Sequence, residues 1–170
     1  MADWSPAIAN EFIRRGRTAG VQFTQMQLQK LVYIAHGWNL AINGAPLTTD
    51  DPEAWEYGPV YKQLRSAIRH YGRDGVTREI CNAGFLPGAF DDEPEAVAVA
   101  SLTQQEVAVV DRVFRDYHRF HAFQLSALTH KAGTPWTKVY DAGRGKFDGI
   151  SAALIREHFV ELATGNRTGA

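Results

Sequence analysis

The chain has 170 residues, of which 18 are Lys or Arg and 19 Asp or Glu, a formal net charge of −1. With 45% apolar and 22% charged residues it has the make-up of one folded domain, and near-neutrality argues against coating nucleic acid or an anionic membrane by bulk charge. The single cysteine, Cys81, excludes an intramolecular disulfide and a multi-cysteine zinc site. No apolar run approaches the roughly 20 residues that span a bilayer. The start, Met1-Ala-Asp-Trp-Ser-Pro6, lacks the basic and apolar regions of a signal peptide, so a soluble cytoplasmic protein is expected.

A first helix is predicted from Ser5-Pro6, with Ser5 capping and proline tolerated at the first turn, ending between Gly16 and Gly20. A second begins at Thr24, where Gln27 completes a capping-box spacing. Leu28, Leu31, Val32, Ala35, Trp38 and Ile42 recur at helical period and give it one broad buried face, and Asn43-Gly44 stops it. From Ala45 to Pro59 the pattern is irregular and acidic, with Asp50, Asp51, Glu53 and Glu56 read as solvated loop charge. Val60, Leu64, Ala67, Ile68 and Tyr71 form the apolar stripe of a third helix.

Val76 to Ala100 is the least helical stretch, interrupted by Gly84, Pro87, Gly88 and Pro94. Val76–Ile80 and Ala96–Ser101 have the length of two short strands pairing across that loop. Thr103 and Glu106 form a second capping box, opening a helix with Val107, Val110, Val113, Phe114 and Tyr117 inward. Another helix covers about His121 to Lys131, Trp136 to Tyr140 fit a single turn, and Asp141 to Gly149 is a loop with three glycines. Ile150, Leu154, Ile155, Phe159 and Leu162 mark the last helix, followed by a polar tail. The expected fold is mainly α: a compact single-domain bundle of about six helices, with any β-hairpin placed around 76–101.

Catalytic signatures are missing: there is no phosphate-binding glycine loop, no Gly-x-Ser-x-Gly and no His-Glu-x-x-His. The chain is read as no enzyme, with no cofactor and no metal. Cys81 fits a small buried hydrophobe. His118 and His121 stand at ligand spacing, with Asp116 or His130 as a third donor, but polar residues at a solvated helix end are the plainer reading. His36, inside an apolar run, fits a hydrogen-bonded, half-buried histidine.

Lys62, Arg65, Arg69 and Arg73 recur at spacings of three and four and share one helix face. That stripe is either a docking surface, for an acidic partner or a DNA backbone, or the wet side of an amphipathic helix, and the acidic neighbouring loops favour the second. Trp55 and Tyr57 either wedge between helices or anchor a partner. Phe85, Leu86 and Phe90, in a Gly/Pro-rich loop, either fold back over the core or serve as partner anchors.

Three blocks in order carry a family resemblance. Leu28-Gln-Lys-Leu-Val-Tyr-Ile-Ala-His-Gly-Trp38, then Gly44-Ala-Pro-Leu47 and Glu53-Ala-Trp-Glu-Tyr-Gly-Pro-Val60, resemble the core signature of the Panacea domain of antitoxins. Leu125-Ser-Ala-Leu-Thr-His130 with Thr134-Pro-Trp136 resembles its second block, and Ile150, Ile155 and Phe159 resemble its last helix. The signature positions are Leu28, Lys30, Leu31, Tyr33, Trp38, Pro46, Leu47, Trp55, Tyr57, Gly58, Pro59, Val60, His130, Pro135 and Trp136. A motif shared by antitoxins of unrelated toxins should maintain the fold, leaving partner specificity to other surface.

The resemblance implies one Panacea-type domain over residues 1–163, with 164–170 as tail. It implies a protein that neutralises a cognate protein toxin by contact. The compact length is most similar to the SocA-like, type VI members, which are proteolytic adaptors. These deliver to the ClpXP protease a toxin that blocks the replication sliding clamp. Direct occlusion of the toxin, or DNA-binding autoregulation of the operon, are the alternatives. No membrane partner is expected, and a DNA partner ranks low because no base-reading helix follows a tight turn.

Overall fold

The computed structural model describes residues 2–82 and 96–165. Among them are seven α-helices: α1 (Ser5–Ala19), α2 (Gln25–Asn43), α3 (Lys62–Ile68), α4 (Gln104–Tyr117), α5 (Ala122–Thr129), α6 (Pro135–Tyr140) and α7 (Ala152–Gly165). The two strands, β1 (Glu53–Trp55) and β2 (Gly58–Val60), form one antiparallel hairpin with Ala54 opposite Pro59. The fold is therefore mainly α with a small sheet, as expected, but the hairpin lies at 53–60 rather than around 76–101. Val76–Ile80 and 96–101 meet only through an antiparallel bridge at Cys81 and Val97. Cys81 itself is half-exposed, with a free thiol.

Local signals place the helix starts. The Thr24/Gln27 and Thr103/Glu106 capping boxes are both formed, and Gly44 ends α2 in the left-handed conformation at φ 68°. At α1 the cap differs from expectation: Trp4 holds that position and Ser5 is the first helical residue. Asp50, read from sequence as solvated, accepts from Ser5 N–H at 2.9 Å and Ser5 Oγ at 2.6 Å. A carboxylate from 45 residues away thus satisfies a donor that the helix leaves unpaired, and its charge suits the helix N-terminus. At the other end, Thr164 and Gly165 belong to α7.

α2 is the central element, packed by α1, α3, α4, α5, α7 and β2. It is consequently buried almost all round from Leu28 to Gly37 rather than along one stripe, while Ile42, assigned to the buried face, is 64% exposed. Its buried polar residues each hold the irregular 45–61 segment. Gln29 exchanges two hydrogen bonds with the Tyr61 backbone, at 2.8 and 3.1 Å. Asn39 Nδ2 donates to Ala45 O at 2.9 Å, and Leu47 and Thr48 N–H donate to His36 Nδ1 at 3.3 and 3.2 Å. Thr48 Oγ1 lies 2.9 Å from that same nitrogen, and His36 is fully buried, not half-buried. A segment with little ladder of its own must find backbone partners elsewhere, and α2 supplies them. Asn10 of α1 does the same for the 80–98 crossing, with bonds to Ile80 N, Ile80 O and Ala98 O.

Candidate functional site

The three signature blocks converge. Lys30, buried on α2, donates from Nζ to Pro59 O on β2 at 3.1 Å. Gly58, at φ 108°, lies directly against it: a Cβ there would stand 2.7 Å from both Lys30 Cε and Thr129 Oγ1. Only glycine fits, for conformation and for space. From the other side, Trp136 Nε1 donates to Trp55 O at 2.7 Å and Ser126 Oγ to Tyr57 O at 2.8 Å. His130 contacts Ser126 O through Nδ1 at 2.7 Å and Glu56 O through Nε2 at 3.3 Å, its ring against Trp136. The hairpin is thereby clamped between α2 and the α5–α6 pair.

Burial keeps the Lys30 ammonium costly and lowers its pKa to about 7, while His36 is lowered to about 4 by the same cause. Leu28, Leu31, Tyr33, Leu47, Pro135 and Trp136 are buried, Trp38 and Val60 are partly so, and Pro46 and Tyr57 are exposed. The inner side of this region is therefore packing, not chemistry.

The outer side is different. Trp55 is half-buried; its ring meets Phe147 edge-on at 4.9 Å, and the Arg65 guanidinium lies 4.9 Å from its centroid. Glu53 receives Trp55 Nε1–H at 3.0 Å and pairs with Lys62 at 3.4 Å, and Lys146 pairs with Glu56 at 3.6 Å. Glu53 and Glu56, like Asp50, are thus engaged, while Asp51 is exposed as expected. Trp55 has its backbone locked to the core through the bond from Trp136, while its ring lies half-buried at the surface. Phe147 was missed from sequence, since its glycine-rich loop has no periodic signal. It reaches β1 because Phe147 N–H donates to Ala54 O at 2.7 Å and Ala54 N–H to Asp148 O at 2.8 Å.

Other expectations change. α3 ends at Ile68, a 3-10 turn covers Arg69–Tyr71, and Gly72 breaks the path, so exposed Arg73 does not continue the face of Lys62, Arg65 and Arg69. His118 follows the end of α4, bonded to Phe114 O, while His121 caps α5, so they do not share a helix face. Asp116 is held by Arg112. Among the described residues no group of three or more His, Cys, Asp or Glu could hold a metal ion. Phe85, Leu86 and Phe90 lie outside the described residues.

The Antitoxin SocA-like, Panacea domain family model matches residues 28–137. The chain belongs to that family. Antitoxin SocA of Caulobacter vibrioides (strain NA1000 / CB15N) is 28% identical over 134 residues, covering 78% of this chain and 68% of the relative. No solved structure matches the chain. The matched Panacea segment contains α2, the hairpin, α3, α4, α5 and the start of α6, which includes the whole clamp around Lys30 and Gly58. α1, α7 and the Phe147 loop lie outside it, so the Trp55–Phe147 contact joins the Panacea segment to sequence beyond it.

Proposed function

We propose that this chain is an antitoxin that binds and neutralises a cognate protein toxin in the cytoplasm, acting as an adaptor that delivers the toxin to ClpXP. The observation carrying the reading is membership of the Antitoxin SocA-like family together with a relative named Antitoxin SocA over most of both chains. The domain, expected to span residues 1–163, extends through the end of α7 at Gly165. An adaptor needs no chemistry of its own. It raises the local concentration of cargo at the protease and turns a weak encounter into an effectively intramolecular one. The toxin, rather than this chain, acts on the replication sliding clamp. The basic face of Lys62, Arg65 and Arg69, the separate exposed Arg73, and the segment with Phe85, Leu86 and Phe90 are proposed partner surfaces.

Degradation of the purified toxin by ClpXP with and without this chain tests the mechanism. Faster loss of toxin in its presence is expected. Equal rates remove the adaptor role, and toxin that persists at full level in cells yet remains harmless assigns direct occlusion instead.

A further inference from the structure

The face built by the hairpin, α3 and the 141–149 loop carries features that packing does not explain. Phe147 is 51% exposed, yet its backbone sits at φ 73°, where a bulky side chain is strained. The fold holds it there through the bond to Ala54 O and sets its ring on Trp55. Such strain for a side chain left half in solvent is unrewarded by core burial.

Arg65 is the second feature. Its guanidinium carbon lies over the Trp55 ring, 4.9 Å from the centroid, the residue is exposed, and no side-chain hydrogen bond or ion pair engages it among the described residues. Among the described residues the nearby cations Lys62, Lys146 and Arg144 are each paired with an acid, whereas Arg65 and Arg69 are not. A guanidinium held beside an aromatic ring with its N–H groups unused can offer a carboxylate two parallel hydrogen bonds. Beside it, the Trp55–Phe147 pair offers an apolar seat. Aromatic and arginine side chains together are the composition of interface hot spots.

We propose that Arg65, held over the Trp55 ring that Phe147 meets edge-on, is the docking point for an acidic segment of the toxin whose carboxylate sits beside a large apolar side chain. The reading rests on the antitoxin function proposed above. A short acidic protein segment suits the face better than a nucleic acid, because Glu53 and Glu56 take up Lys62 and Lys146 and leave too few free cations for a run of phosphates. The loop that supplies Phe147 falls outside the matched family segment, as a determinant of partner choice should.

The test uses the full chain and, as probe, the purified toxin of the degradation assay above, with affinity measured by calorimetry. Arg65→Lys keeps the charge but loses the planar fork, and about tenfold weaker binding is expected. Phe147→Gly relieves the backbone strain, so the variant stays folded by thermal melt, and a similar loss is expected. Arg65→Glu binding restored by an acidic-to-arginine exchange in the toxin would support the pairing directly. Wild-type binding with both single variants within twofold overturns this site alone. No binding by wild type overturns the antitoxin reading itself. A DNA duplex bound through Arg65 with steep salt dependence, and toxin binding unchanged by Arg65→Lys, also overturns it.

Discussion

Lys30 is the residue whose charge the fold tolerates least. It is 1% exposed, and its only hydrogen bond among the described residues goes to Pro59 O. A lysine that ordinarily titrates at 10.5 and here at about 7 carries a penalty of about 4 kcal/mol at neutral pH. Lys30→Met removes that penalty but leaves the Pro59 carbonyl without its donor, a cost of about 1–3 kcal/mol. A net gain of about 2 kcal/mol at pH 7 is therefore expected from urea unfolding. The gain should shrink as pH rises from about 7 and vanish only above 10.5, where the wild-type amine is neutral in both folded and unfolded chains. A variant less stable than wild type at pH 7 would show that the ammonium is retained as a net stabiliser. The expected gain instead marks a position that orients β2 at a cost in stability.

Between elements, the spacing of α2 and α7 is set by Gly37. A Cβ at that position would stand 2.2 Å from Phe159 Cε2, so alanine cannot enter without moving the ring or the helix. Helix propensity alone favours alanine over glycine by about 1 kcal/mol. The clash reverses that sign, and Gly37→Ala is expected to destabilise by about 1–3 kcal/mol. In a Phe159→Leu background the same substitution should cost clearly less, because the two sites share one space. Equal costs in both backgrounds, read from denaturant midpoints, would refute the contact as the determinant. The helices themselves were legible because their signals are local: Thr24 with Gln27 and Thr103 with Glu106 need only neighbours in sequence. The hairpin was not. Its strands are three residues each, one contains Pro59, and they are held by Lys30, Ser126 and Trp136 from far along the chain. No period in 53–60 encodes those partners. The candidate face was half legible: Lys62, Arg65 and Arg69 by spacing and Trp55 by its unusual loop position, but Phe147 only through its pairing with Ala54.

At the scale of the whole molecule, the buried titratable groups place maximum stability unusually high in pH. His36 accepts two backbone N–H bonds at Nδ1, and those same residues connect to the N-terminal stretch through Asp3 N–H to Leu47 O and Thr49 N–H to Asp3 O. Its ordinary pKa of 6.5 falls to about 4 on burial, so the unfolded chain binds more protons between those values and stability drops as pH falls through them. The full loss is about 3 kcal/mol. His158, lowered by partial burial, acts in the same direction. Glu106 adds to the acid limb: hydrogen bonds from Thr103 outweigh its burial and hold its carboxyl below the usual range, so its contribution is lost on protonation. Lys30 works in the next window, stability rising from about pH 7 toward 10.5 as the unfolded chain alone keeps its proton. Above about pH 10 the sign turns. Burial raises the Tyr33 and Tyr61 hydroxyls well above their ordinary value of 10.0, so the unfolded chain ionises first and is favoured. The melting temperature should therefore climb from pH 4 through neutrality and peak near pH 9–10, above the usual range of about 5–8. Lys30→Met should flatten the limb above pH 7 while leaving the acid limb intact. That separation distinguishes the buried groups from general charge repulsion, which a single substitution would move at every pH together.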